Sequence, residues 1–92
     1  MATINVTKRF TISQAELKHQ LNKLAADMEK KLQLSCRWES DICLSFKRSG
    51  ASGKITIKNQ DVEFTMTLGL LLMGFKSSIE REVNDFMQQH IK

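Results

Sequence analysis

The stretch from Val62 to Phe75 constrains the fold of this chain more than any other. Val62, Phe64, Met66 and Leu68 alternate with Glu63, Thr65 and Thr67, the two-residue period of a strand with one buried face. The alternation then gives way to an unbroken apolar run, Leu70 to Met73, set between Gly69 and Gly74. Directly beyond it, Ser77-Ser78-Ile79-Glu80 has the form of a capping box that opens a C-terminal helix. A strand, an apolar shoulder and a helix in succession must supply much of one core.

The rest of the chain can be read around that segment. Ile4, Val6 and Phe10 alternate with Asn5, Thr7 and Arg9, marking a first strand, and Lys8 interrupts its apolar face as at a sheet edge. Ser13 to Glu16 is a second capping box, with Ile12 placed to staple onto Leu17. Leu17, Leu21, Leu24, Met28 and Leu32 then form one apolar stripe, widened by Ala25. A helix from Gln14 to Gln33 would be about 30 Å long, with Lys18, Lys23, Lys30 and Lys31 mostly on its outer side.

Parity sets the strands that follow. Leu34, Cys36 and Trp38 share a face, as do Ile42, Leu44 and Phe46. Both sets reach one core only if an odd number of residues joins them, most simply Glu39-Ser40-Asp41. Pairing Phe46 with Ile55 leaves Gly50-Ala51 as a two-residue loop, or a looser one reaching Gly53. Ile57 opposite Val62 leaves Asn59-Gln60 as the next turn, with Lys58 facing Asp61 and Thr56 facing Glu63. The closing helix carries Ile79, Val83, Phe86 and Met87, with His90 or Ile91 ending the stripe, and Glu80, Glu82 and Asp85 near its N-terminus.

These elements predict a single domain over residues 1–92. Its class is α+β, two-layer, in the order β-α-β-β-β-β-α, with a five-stranded, mainly antiparallel sheet and both helices on one face. The first strand is expected to pair antiparallel with the last, in spatial order 2-3-4-5-1. A parallel pairing of strands one and two through the first helix is the alternative. Trp38, Leu44, Ile57, Phe64, Leu24 and Val83 are expected in the core. Apolar content of 41% with 26% charged residues suits a soluble globule. Four Gly and no Pro argue against a flexible linker.

The N-terminal residues lack the features of a signal peptide, and the longest apolar run is far too short to span a bilayer, so a cytoplasmic location is expected. Cys36 and Cys43 read as reduced, small buried residues, although their spacing around a hairpin would allow a disulfide. With the distant His19 and His90 they do not make a metal set, and no cofactor is expected. Ser77 and Ser78 read as capping residues. No phosphate loop, paired Cys-x-x-Cys or acid pair is present, so the chain is not expected to be an enzyme. Trp38 reads as core packing before a stacking platform.

The net charge of +4 is uneven: residues 1–60 hold eleven Lys/Arg against five Asp/Glu, residues 61–92 three against five. Arg37, Lys47, Arg48, Lys54 and Lys58 around the hairpins could attract nucleic acid, lipid headgroups or a polyester surface, or be solvated strand backs. The absence of Tyr and of aromatic residues among them disfavours base stacking. Leu70, Leu71, Leu72, Met73 and Phe75 are a second candidate surface. Consecutive residues on a strand or helical turn cannot all face one core. At least one is therefore exposed or lines a groove, unless the sheet curls so that the first helix covers them all.

Several motifs together resemble a known family. These are Arg37-Trp38-Glu39-Ser40-Asp41, Phe46 to Gly50 with Gly53 and Ile55, Leu68 to Leu72, and Phe75 to Val83. The pattern, running from Thr3 to the C-terminal helix, is similar to the polyhydroxyalkanoic acid system proteins, small bacterial proteins associated with polyhydroxyalkanoate granule systems. The resemblance implies a non-enzymatic accessory role in polyester storage, at the granule surface or in binding acyl chains or other hydrophobic ligands. It implies as partners a granule or another granule protein, and the apolar patch from Leu70 to Phe75 could also help a homodimer form. The family has no established activity or catalytic residues. A small basic nucleic-acid-binding or regulatory module is the alternative.

Overall fold

The computed structural model describes residues 2–92. The alternating segments form β1 (Ala2–Arg9), β2 (Ser35–Ser40), β3 (Cys43–Arg48), β4 (Ala51–Lys58) and β5 (Asp61–Leu68). The apolar stripes form α1 (Gln14–Leu32) and α2 (Lys76–His90), and a 3-10 helix spans Leu70–Phe75. The sheet order is β1-β5-β4-β3-β2, with every neighbouring pair antiparallel. Ile4, Phe64, Ile55, Leu44, Leu21, Leu24, Val83 and Met87 belong to one buried cluster. Both helices therefore lie on the same sheet face, α2 along β1 and α1 toward β2, and the other face is open. This is the two-layer α+β architecture that the periodicities predict.

Local chemistry explains the boundaries. Ser13 Oγ accepts from the Glu16 amide at 3.2 Å and opens α1. The Glu16 carboxylate, however, takes the Gln20 amide at 2.9 Å, so only half of the expected capping box forms. Gln33 ends the helix in the left-handed region, at φ 58. Ser77 and Ser78 do not cap α2. The 3-10 helix runs straight into it, and the Lys76 amide bonds the Met73 carbonyl, so backbone carbonyls take over from a capping side chain. Ile91, just past α2, is fully buried. Lys92 closes that end by accepting from the Thr11 amide at 2.6 Å and its hydroxyl at 2.8 Å.

The β4–β5 hairpin has the expected register, with Ile57 opposite Val62 and Lys58 opposite Asp61. The other two hairpins are each displaced by two residues, a shift that leaves the side chains of the paired strand residues on their expected face. Phe46 pairs with Gly53 instead of Ile55, and the loop is Ser49-Gly50, with Gly50 at φ 87. The reason is steric. The Phe46 ring stacks on Phe64, with centroids 5.3 Å apart, and passes over Gly53. A Cβ at Gly53 would lie 2.5 Å from Phe46 Cε2 and 2.4 Å from the Thr65 carbonyl oxygen. Only glycine leaves room for that ring.

In the β2–β3 hairpin, Trp38 pairs with Leu44 and an irregularity follows at Ser40. The Ser40 hydroxyl accepts from the Ile42 amide at 3.3 Å and makes Asp41-Ile42 the turn. Ile42 is thereby 46% exposed and lost to the core. Trp38 is also less buried than expected. It sits at the sheet edge, where its indole N–H donates to Asn22 Oδ1 at 2.8 Å and Lys18 Nζ lies 4.9 Å from the ring centroid.

Candidate functional site

Leu68, the last residue of β5, is fully buried, and the Gly69 amide then bonds the Gly50 carbonyl at 2.7 Å. Beyond that tie the chain winds into the 3-10 helix, whose first turn closes from the Leu72 amide to the Gly69 carbonyl at 3.1 Å. Three residues per turn send successive side chains in three directions, only one of which can face the core. Leu72 takes it and packs against the buried cluster. Leu70 is 85% exposed, Leu71 93%, Phe75 51% and Met73 37%. Each exposed leucine forgoes roughly 1.5 to 3 kcal/mol of burial. Four apolar side chains thus stand exposed on a hydrogen-bonded element.

The shoulder adjoins a shallow polar recess. Ser35 pairs with Lys47, Lys47 with Ser52, Ser52 with Thr67, and Thr67 with Thr3. These residues form one row across the open face of the sheet, at its shoulder end. Lys47, Ser52, Thr67, Gly50 and Gly69 line a depression of about 280 Å³. Among the described residues Lys47 has no ion-pair partner. Its neighbour Arg48 is committed elsewhere, with Nη1 donating to the Leu32 carbonyl at 2.7 Å and Nε to the Ser49 carbonyl at 3.2 Å. Arg48 thus satisfies the C-terminal end of α1.

The five basic residues singled out from the sequence do not form one site. Arg37, Lys54 and Lys58 lie on the open face but do not line the recess, Lys54 standing in the adjacent row, opposite Ser45 and Thr65. Arg37 Nε stands 3.9 Å from Glu39, and Lys58 Nζ 3.4 Å from Glu63. Of these five, Lys47 lines the recess beside the shoulder without an ion-pair partner among the described residues. Ser52 and Thr67 carried no signal in the sequence, because only the strand register brings them beside Lys47.

A separate cleft of about 190 Å³ lies between α1 and α2, floored by Leu24, Met28, Ile79, Val83 and Phe86. Lys31 and Glu82 bridge its rim at 2.8 Å, and that hydrogen bond and charge raise the lysine pKa. Leu71, Met73 and Phe75 do not line it.

The remaining titratable candidates are dispersed. Cys36 and Cys43 are both free and half-buried. They fall on opposite faces of the sheet, Cys36 toward α1, where its thiol donates to the Ala25 carbonyl at 3.7 Å. Burial, followed by the charge of Glu29, pushes the Cys36 thiol up to about 11. His19 and His90 are exposed, and His90 stacks at 4.5 Å on Phe86. Among the described residues no cluster of three or more His, Cys, Asp or Glu could hold a metal ion. No helix there is long and apolar enough to cross a membrane.

A comparison with protein families matches residues 4–91 to the family described as "Putative polyhydroxyalkanoic acid system protein". No curated protein and no solved structure matches the chain.

Proposed function

The chain belongs to the family of polyhydroxyalkanoic acid system proteins, matched over residues 4–91, and from that premise we propose that it is a non-enzymatic accessory protein of polyester storage that seats on the granule surface through the 3-10 shoulder. The observation that carries the reading is the exposure of Leu70 and Leu71, 85% and 93%, on a hydrogen-bonded element instead of a free loop tip. Met73 and Phe75 extend the same surface. A hydrophobic polymer interface would cover these side chains without requiring a shaped pocket.

A nucleic-acid reading has less support. Arg37 and Lys58 stand beside Glu39 and Glu63, and among the described residues no aromatic side chain occupies the open face for base stacking.

The test is co-sedimentation with purified polyhydroxyalkanoate granules, comparing the natural chain with the double variant Leu71→Ser, Met73→Ser. Granule binding is expected to disappear while the melting temperature stays close to that of the natural protein. Binding per folded molecule that survives the double substitution would refute the proposal.

A further inference from the structure

We propose that the Lys47–Ser52–Thr67 recess is a headgroup site and that the protein docks on anionic phospholipid, its leucines among the acyl chains and a lipid phosphate in the recess. This deepens the reading of the shoulder as the contact surface and rests on it.

Charge complementarity selects the occupant. Residues 47–52 and 67–76, which make up the recess and the shoulder, hold Lys47, Arg48 and Lys76 and no Asp or Glu. Arg48 is tied to α1, while Lys47, lining the recess, and Lys76, at the end of the shoulder, have no ion-pair partner among the described residues. The acids of the open face, Glu39, Asp61 and Glu63, stand toward the other end of the sheet. Glu63 is four residues along β5 from Thr67, a separation of about 13 Å at the rise of a strand. An uncharged polyester presents ester oxygens alone and gives two unpaired lysines nothing to neutralise. A phosphodiester beside acyl chains matches all three features: an anion for Lys47, an acceptor for the Ser52 and Thr67 hydroxyls, and an apolar layer for Leu70 and Leu71. The recess and the exposed leucines are joined through Gly69, which lines the recess and immediately precedes Leu70. Headgroup and chain contacts can therefore be made by one lipid or by adjacent ones.

The experiment is flotation of the full chain with phosphatidylcholine vesicles and with equimolar phosphatidylglycerol–phosphatidylcholine vesicles, alongside granule co-sedimentation. The natural chain is expected on the anionic vesicles, with binding that falls as salt rises. Lys47→Gln with Lys76→Gln is expected to weaken that binding roughly twenty-five-fold, at about fivefold per lysine near an anionic surface, with an unchanged melting temperature. Leu70→Ser with Leu71→Ser is expected to abolish it. Equal binding to both vesicle types, or anionic binding untouched by the lysine changes, overturns the headgroup site. If granules are bound through the leucines while neither vesicle is, the shoulder reading stands and this proposal falls. If granule binding ignores the leucine changes, the shoulder reading falls as well. Retention on duplex DNA that depends on Lys47 but not on the leucines would also overturn it, in favour of nucleic acid.

Discussion

Gly53→Ala tests the steric account of the hairpin register. An ideal Cβ at this position would lie 2.4 Å from the Thr65 carbonyl oxygen, 2.5 Å from Phe46 Cε2 and 2.9 Å from Met66 Cα. Two of those three atoms are backbone and cannot rotate away. A close carbon–oxygen approach in a sheet is about 3.3 Å, so β4 and β5 would have to part locally by about 0.9 Å. Overpacking of this kind costs roughly 1 to 3 kcal/mol. Disturbing the Phe46–Phe64 stack adds about 0.5 to 1.5 kcal/mol. Reduced freedom of the unfolded chain offsets roughly 0.4 to 1 kcal/mol. The net expectation is a loss of about 0.5 to 4 kcal/mol, centred on roughly 2.3 kcal/mol, and the central value lowers the melting temperature by roughly 10 to 20 °C in a domain of this size. Thermal unfolding followed by circular dichroism reads this directly. Gly74→Ala is the control, because a Cβ there meets nothing within 4 Å. If Gly53→Ala melts within a few degrees of the natural protein, the claim that Phe46 dictates this pairing is wrong.

Two further outcomes are expected. Arg48→Ala removes the 2.7 Å bond to the Leu32 carbonyl and should destabilise the domain by about 1.5 to 3 kcal/mol in urea unfolding, whereas Lys47→Ala, lacking any such partner, should leave the urea midpoint unmoved. Burial pushes the Cys36 thiol from its ordinary value of 9.0 up to about 11, so the unfolded chain releases its proton first and stability falls as pH rises between those values. Melting temperatures across that window should slope downward, and Cys36→Ala should flatten the slope; an unchanged slope would place the titration elsewhere.

Several features follow from the residues alone. The two-residue alternation and the leucine stripe determine the element order, the buried face of every strand and the helical layer. The β4–β5 turn is equally local, because the pairing of Ile57 with Val62 leaves Asn59-Gln60 and Asn59 tolerates its φ of 52. The break in alternation at Leu70 already implies that the shoulder cannot be wholly buried. What parity cannot decide is a shift of two residues, since such a shift preserves every face. That choice is settled by volume, as Phe46 requires the hole at Gly53, and by the Ser40 hydroxyl that turns Ile42 outward. The start of α2 was likewise illegible, because carbonyls of the preceding 3-10 turn displace the serines as its cap. The same holds for the recess. Lys47, Ser52 and Thr67 are distant in sequence and ordinary in kind, and they meet only because two antiparallel ladders place them in one row beside the exposed leucines. Periodicity is a property of neighbours along the chain, whereas a surface site is a property of neighbours across it.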